Sequence, residues 1–235
     1  MSGLLEVLVL HAADAVRAVE GGADRLHLVG EPDPDGGSPE PQLVEEVCRA
    51  VEVPVRVTLR LRDGYGTDGG ELVRLRGLAS AYRDAGAEGV VMGFLDGHGD
   101  IDIDVLGALL EWGDWPWTCH RAIDAALDSD RSWRRLLTLP RLDQVLTAGS
   151  ARGVEQGLDE LIGRARADER VARLVMAGGD LHPDHVPWLA RAGVRAYRID
   201  RDARPDRSWK AYVDAAMVRS WRRLVDAEVR PRASA

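Results

Sequence analysis

The sequence predicts an α/β protein that folds as a single-domain (β/α)8 barrel, the TIM-barrel fold. The chain has 235 residues, a length at which such barrels commonly form one domain. Short apolar segments alternate with amphipathic ones, and eight of the apolar segments resemble strands. Several helix-like segments end in a glycine turn that leads directly into the next strand, which is the connection that a βα repeat requires.

The predicted strands are short runs rich in Val, Leu and Ile. They cover residues 4–10, 25–29, 54–59, 89–93, 115–120, 144–147, 171–176 and 194–199. Helical periodicity lies between them, at residues 72–84, 105–112, 158–166, 185–191 and 211–225. An open doubly wound sheet is the alternative, but eight strands in this length leave no room for a second domain. We therefore expect one domain over residues 1–227, followed by a frayed tail over residues 228–235.

Composition excludes several classes of function. The net charge of −8 disfavours a broad nucleic-acid surface. Lys210 is the only lysine, so a Schiff-base mechanism would need that residue or the N-terminus. Two cysteines, Cys48 and Cys119, cannot supply a four-thiolate zinc or iron–sulfur site.

The apolar stretch near the N-terminus contains Glu6 and follows no basic segment, which is unlike a signal peptide. No apolar run approaches 18 residues, so we expect no membrane contact. The expected location is the cytoplasm.

The densest polar cluster closes the fifth predicted strand, at residues 118–124. Alternation places Thr118 and His120 on one face of that strand and Cys119 on the other. Asp124 follows in the loop, from which it can orient the imidazole of His120. A histidine fixed by a carboxylate is a common general base or metal ligand, although a structural histidine with a surface aspartate is the alternative.

Other charged residues occur within or at the ends of predicted strands. Glu6 interrupts the first strand, where a carboxylate needs a partner or a raised pKa. It is either an inward-facing acid or half of a structural ion pair. Arg60 and Arg62 end the third strand, and one of them is expected to bind a carboxylate or phosphate in the mouth, or to pair with Glu6.

Glycine-rich turns follow the sixth and seventh strands. Thr147 begins one turn, and Gly178 and Gly179 belong to the other. Such turns expose backbone N–H groups to anions, and barrels often bind phosphate near strands seven and eight. The alternative is that these glycines only close the turns. His182 and His185 are spaced as a ligand pair but have no evident third ligand.

The ordered series of motifs resembles the CutC family, described as copper homeostasis proteins. The resemblance runs from Leu4 to about Tyr212 and rests on GGADRL (21–26), GGSP (36–39), RLR (60–62), HRAID (120–124), LTAG (146–149) and VMAGG (175–179). It implies a TIM barrel, a homodimer and a cytoplasmic location. It also implies functional residues that match position by position, namely Glu6, Arg60, His120, Arg121 and Asp124.

Only this resemblance implies copper as a cofactor or cargo. Family members often carry cysteine just after the first strand and at the end of the second, where this chain has Leu8–His11 and Val29 instead. Cu(I) prefers thiolate or thioether ligands, so the departures argue against copper at the usual positions.

Three hypotheses follow. The first is a metal-binding or metal-handling protein. The second is an enzyme acting on a small anionic or phosphorylated metabolite, with His120 as acid/base, Asp124 orienting it, Arg60 and Arg121 binding substrate, and the Gly178–Gly179 turn holding phosphate. The third is a divergent family member without activity.

Overall fold

The strands close into a barrel in the computed structural model, which describes residues 3–33, 36–111 and 113–229. Each strand pairs in parallel with the next along the chain, and β8 pairs with β1. The strands are β1 (Leu4–Val9), β2 (Arg25–Leu28), β3 (Val55–Thr58), β4 (Gly89–Met92), β5 (Trp117–Cys119), β6 (Leu142–Thr147), β7 (Val175–Ala177) and β8 (Ala196–Ile199). The predicted (β/α)8 barrel is confirmed, and the open-sheet alternative is wrong.

Helices surround the barrel. They are α1 (Ala12–Glu20), α2 (Pro41–Ala50), α3 (Gly69–Asp84), α4 (Ile103–Leu110), α5 (Ser129–Leu136), α6 (Val154–Ala167), α7 (Glu169–Leu174), α8 (Val186–Ala192) and α9 (Ala215–Glu228). Within the described residues, no helix is long and apolar enough to cross a membrane. Residues 34, 35 and 112, which belong to a predicted loop and a predicted helix, lie outside the described residues, as do residues 230–235 of the predicted tail. Glu228 ends α9 and Val229 is buried.

Several predicted boundaries are wrong, and two of them illustrate the physical reason. Residues 171–174 were expected to be strand but belong to α7, and β7 starts only at Val175. Asp168 caps this short helix by accepting the Arg170 N–H at 2.8 Å, and a short apolar run does not distinguish a buried helix from a strand. The last helix begins at Ala215 rather than residue 211, because Asp214 caps it by accepting the Ala216 and Met217 N–H groups.

Alternate residues of the strands face in opposite directions. Leu5, Val7 and Val9 of β1 belong to the large apolar core that includes residues of the helices. A smaller apolar cluster contains Leu146, Met176 and Ala196, with Leu4 packed against it. The remaining strand positions carry many buried polar side chains.

Ion pairs connect the polar residues near the amino ends of the strands. Arg25 Nε donates to Glu6 Oε2 at 2.6 Å, and Arg25 Nη1 lies 3.6 Å from Asp143 Oδ2. Arg56 also pairs with Asp143, and its Nε lies 2.6 Å from Glu88 Oε2. Glu6, Arg25 and Arg56 are buried, and buried charges require such partners. The amino half of the barrel is therefore held by its own charges.

Candidate active site at the carboxyl end of the barrel

His120 directly follows β5 and begins a short 3-10 turn at the carboxyl end of the barrel. Its Nδ1 accepts the Ala122 N–H at 3.1 Å. This hydrogen bond assigns the proton of the neutral ring to Nε2. Gly93 leaves room for the imidazole ring, because a Cβ at this position would lie only 2.8 Å from His120 Nδ1. The ring is thus held in one orientation and one tautomer by backbone contacts.

Cys119 points away from His120, as strand alternation predicts. The thiol is buried among the core residues and donates to the His120 carbonyl oxygen at 3.4 Å. Burial raises the pKa of this thiol well above its usual value. The sulfur stays protonated and outside the mouth of the barrel.

Arg60 lies beside Tyr65, and Tyr65 lies beside His120. The Arg60 N–H donates to Ser38 Oγ at 2.9 Å, and its Nε donates to the Gly64 carbonyl oxygen at 3.1 Å. The Arg60 guanidinium carbon is 5.8 Å from the centre of the Tyr65 ring, and that ring is 5.3 Å from the His120 ring centre. Cation, phenol and imidazole therefore form one row. Sequence reasoning missed Tyr65, although it is the only aromatic residue in the glycine-rich loop 62–70.

The loop that carries Tyr65 is fixed at both sides. Glu71 at the start of α3 accepts from Arg62 Nε at 2.7 Å and from Thr67 Oγ1 at 3.0 Å. The Leu95 N–H donates to the Tyr65 carbonyl oxygen at 2.8 Å. One of Arg60 and Arg62 was expected in the mouth. Arg62 holds this loop, and Arg60 is the one that lies beside Tyr65.

Asp124 has a different role from the one expected. Its carboxylate accepts from Arg121 Nε at 3.0 Å, from Thr147 Oγ1 at 2.5 Å and from the Ala148 N–H at 2.9 Å. The expected orientation of the His120 imidazole by Asp124 is therefore wrong, since the ring is oriented by the Ala122 N–H. Burial raises the pKa of Asp124, although these three donors act in the opposite direction. The carboxylate joins the loops after β5 and β6.

Arg121 also joins loops, because its guanidinium donates hydrogen bonds to groups of the protein. Besides Asp124, it donates to the carbonyl oxygens of Ser150 and Ala151 at 3.2 and 3.1 Å. The guanidinium packs on Gly179, where a Cβ would lie 2.9 Å from Arg121 Cζ and Nε. Arg121 is a positioning residue that holds the ends of β5, β6 and β7 together.

The glycines after β7 are explained by close packing. Gly179 has a φ of +99°, a conformation that favours glycine, and it makes room for Arg121. A Cβ on Gly178 would lie 2.7 Å from Leu146 Cδ1 and 3.1 Å from Arg198 Cβ. The expected role of these two glycines as a phosphate turn has no support in their contacts, which are with side chains.

Glu6 takes the structural alternative that the sequence left open. Its side chain is completely buried and its charge is paired with Arg25 at 2.6 Å. Its other oxygen, Oε1, lies 4.0 Å from His27 Nδ1. A carboxylate neutralised in this way is a poor catalytic base, so Glu6 leaves the set of catalytic candidates.

Three other histidines have local hydrogen-bond partners. His27 is hydrogen-bonded to Thr58 Oγ1 at 2.7 Å and to Arg198 Nη1 at 3.1 Å, and Arg198 lies 3.3 Å from Asp200. His11 caps α1 by accepting the Asp14 N–H at 3.2 Å. His185 contacts Glu155 at 2.8 Å and accepts the His182 N–H. Within the described ranges, no group of three or more His, Cys, Asp and Glu residues could hold a metal ion.

The fold and this geometry define a class: a (β/α)8 barrel with a histidine, a tyrosine and an arginine grouped where enzymes of this fold place their active sites. The chain belongs to the CutC family, whose family model matches residues 3–200.

Individual relatives and solved structures agree with this assignment. A CutC family protein of Xanthomonas campestris pv. campestris is 32% identical over 203 residues, covering 85% of this chain and 83% of that protein. One from Caulobacter vibrioides is 33% identical over 196 residues, covering 82% and 78%.

Among solved structures, a copper homeostasis protein CutC from Streptococcus agalactiae superposes with a TM-score of 0.74 at 20% identity, over 83% of this chain and 97% of that one. The phosphoribosylanthranilate isomerase of Thermotoga maritima gives a TM-score of 0.64 at 13% identity, over 96% and 99%. At these identities the structural likeness establishes the fold alone.

Proposed function

We propose that this protein binds a small anionic metabolite at the carboxyl end of the barrel and that the neutral ring of His120 donates a hydrogen bond to it from Nε2. The observation that carries this proposal is the row formed by Arg60, Tyr65 and His120. A guanidinium binds carboxylate or phosphate oxygens, and a phenol and the protonated nitrogen of a neutral imidazole each donate a hydrogen bond. Together these groups suit a small anion.

The tautomer of His120 fixes the direction of its hydrogen bond to the ligand. Nδ1 accepts from the Ala122 N–H, so Nε2 carries the proton of the neutral ring and is the atom that donates a hydrogen bond to a ligand. Arg121 and Asp124 support the site indirectly, because they fix the loops around it. The proposed ligand-contacting residues are thus Arg60, Tyr65 and His120.

Metal handling is the function that the description of the Streptococcus agalactiae structure suggests, but the donor set of this chain does not fit copper. Cu(I) favours deprotonated sulfur. Burial raises the pKa of Cys119, and it raises that of Cys48 on α2 to about 11. Both thiols stay protonated near neutral pH, and no step of the proposed function passes through a metal.

A thermal-shift experiment tests the proposal. The purified protein is heated with a panel of phosphorylated and carboxylated metabolites, and separately with Cu(I) under reducing conditions. A ligand at about 100 times its Kd adds about 2.7 kcal/mol, which raises the Tm of a domain of this size by roughly 5–11 °C. We expect one or more anionic metabolites to produce such a shift.

Two variants and a control make this test specific to the site. Arg60→Gln and His120→Gln should abolish the shift. Arg49→Gln should preserve it, because Arg49 is an exposed arginine on α2 that pairs with Glu45. Stabilisation by Cu(I) alone, lost in Cys119→Ser, would instead favour metal handling.

The homodimer and the cytoplasmic location implied by the family resemblance stay predictions. Light scattering coupled to size-exclusion chromatography tests the first, and cell fractionation tests the second.

A further inference from the structure

Two arginines contact one aspartate oxygen at the ends of β7 and β8. Arg201 Nη2 lies 2.8 Å and Arg207 Nη2 lies 2.7 Å from the same atom, Asp180 Oδ1. The two nitrogens are therefore no more than about 5.5 Å apart, a span that one tetrahedral oxyanion can bridge with two of its oxygens. We call Arg201 and Arg207 the arginine clamp.

We propose that the arginine clamp binds a phosphate or phosphomonoester group and that the Asp180 carboxylate occupies its place when this ligand is absent. The inference rests on the proposed function, which it deepens by naming phosphate as the anionic part of the ligand. Asp180 acts as an internal competitor that the ligand displaces.

The contacts of Arg201 leave one guanidinium donor for an oxyanion. Its Nε is buried and has no hydrogen-bond partner among the described residues. A guanidinium offers Nε and Nη2 side by side to two oxygens of one phosphate, whereas Asp180 Oδ1 uses only Nη2. A phosphate in the clamp would satisfy both donors at once.

The exchange of carboxylate for phosphate is physically reasonable. Asp180 is 49% exposed, and both arginine side chains are 35% exposed, so a ligand can reach them. Exposed ion pairs of this kind contribute little to stability. A phosphomonoester carries nearly two charges and three acceptor oxygens, so it competes well with a single carboxylate oxygen.

Neighbouring groups keep the clamp in place without filling it. Asp202 lies 3.0 Å from Nη1 of Arg207 and leaves the Nη2 atom of Arg207 to the clamp. The Arg201 N–H donates to Asp200 Oδ1 at 2.5 Å. Asp202 therefore keeps the Arg207 side chain in position when Asp180 moves away, and Asp200 holds the backbone of Arg201.

The clamp lies at the same end of the barrel as the row of Arg60, Tyr65 and His120. Asp180 directly follows Gly179, against which Arg121 packs, and Arg121 directly follows His120. Barrels often bind phosphate beside strands seven and eight. A ligand held by its phosphate at the clamp would extend toward the other loops of the mouth.

Calorimetric titration with inorganic phosphate, at ionic strength held constant with chloride, tests this inference. Asp180→Asn removes the competing charge and keeps a residue that tolerates the left-handed backbone seen at φ +51°. We expect it to bind phosphate about three- to tenfold more tightly than the parent chain, while Arg201→Gln and Arg207→Gln bind about tenfold more weakly or worse.

Asp206→Asn is the matched control. Asp206 is also left-handed, at φ +53°, and the substitution removes the same charge from the segment that carries the two clamp arginines. Among the described ion pairs, none includes Asp206. We expect its phosphate affinity to equal that of the parent chain.

Three results would overturn the inference. Weaker phosphate binding together with a lower Tm in Asp180→Asn would make Asp180 a structural tie between loops. Equal tightening in Asp206→Asn would show a general charge effect. No measurable phosphate binding in either the parent chain or Asp180→Asn would exclude the site.

Arg60→Gln separates this inference from the proposed function. Inorganic phosphate should bind Arg60→Gln normally if the clamp is the phosphate site. Loss of metabolite binding in Arg60→Gln with no effect of the clamp substitutions would retain the proposed function and reject the clamp.

Discussion

The two ends of this barrel use the same residue types in different ways. Near the amino ends of the strands, Arg25 and Arg56 are buried against Glu6, Asp143 and Glu88. At the carboxyl end, arginines follow the strands and contact backbone carbonyls, aromatic rings and loop carboxylates. Charges on strands inside the barrel are paired with one another, whereas charges on the loops shape a surface that a ligand can reach.

The largest expected effect comes from breaking the buried ion pairs near the amino ends of the strands. Glu6→Ala leaves Arg25 buried with Asp143, at 3.6 Å, as its nearest described ion-pair partner, and removing one partner of a buried pair costs about 3–5 kcal/mol. We expect urea denaturation to show a loss of that size. Glu45→Ala, which removes an exposed pair with Arg49, should cost less than about 1 kcal/mol.

A double substitution sharpens this result. Glu6→Leu combined with Arg25→Met removes both charges, and apolar replacement of a buried pair is often neutral. Recovery of most of the lost stability would show that the cost in Glu6→Ala comes from the unpaired Arg25. A cost below about 1 kcal/mol in Glu6→Ala would contradict the structural role of the pair.

The next effect concerns the loops at the carboxyl end. Arg121→Lys loses the fork that reaches Asp124 and two carbonyl oxygens, and hydrogen bonds to a charged group contribute about 1.5–3 kcal/mol. We expect a loss of about 2–3 kcal/mol in the free energy of unfolding. Arg49→Lys is the matched control and should change stability by less than about 0.5 kcal/mol. An equally small change in Arg121→Lys would mean that Arg121 does not join the loops.

Gly93→Ala tests whether the space at Gly93 keeps the His120 ring in place. Its expected cost in stability is somewhat smaller. The added Cβ would lie 2.8 Å from Nδ1 of the imidazole, so the ring must move, at a cost of about 1–3 kcal/mol. We expect weaker binding of the anionic metabolite and an altered chemical shift of the His120 ring nitrogens by NMR. Gly97→Ala meets nothing within 4 Å and should leave both unchanged.

The smallest expected effect is a pH dependence. Burial raises the pKa of Asp124 in the folded protein, so the folded state binds more protons than the unfolded state above the ordinary pKa of about 3.9. Stability from this group is therefore lost as the pH rises from about 4 through the raised pKa. In Asp124→Asn, denaturation at pH 4 to 7 should show a smaller decline.

Asp96 provides a control in which the pKa shift, and therefore the change of stability with pH, has the opposite direction. The Arg135 guanidinium lowers the pKa of Asp96 to about 2, so its contribution is present above pH 4 and is lost as the pH falls toward 2. Asp96→Asn should remove that acid-side loss and leave the decline above pH 4 intact. An unchanged decline in Asp124→Asn would assign the effect to another carboxyl.

Much of the candidate site could be predicted because strand periodicity fixes direction. Once β5 is placed, Cys119 must face the helices and His120 the opposite face. Arg60 follows β3 in the chain, which places it at the carboxyl end of the barrel. The role of Asp124 could not be predicted, because Thr147 and Ala148, which donate to it, are more than twenty residues away in the chain.

Tyr65 and the arginine clamp illustrate the same limit. Tyr65 reaches His120 only because Glu71 and Leu95 fix its loop, and neither contact follows a sequence period. Asp180 meets Arg201 and Arg207 only where the loops after β7 and β8 converge.

The sequence by itself determined the eight strands, the barrel and the end at which functional side chains collect, since these follow from local hydrophobic periodicity and turn chemistry. The tertiary structure alone decided which charges are paired. Glu6 became structural because β2 brings Arg25 within 2.6 Å, and Asp124 became a tie between loops because β6 lies beside β5. Such partnerships depend on strand register and loop closure, which a local pattern does not encode.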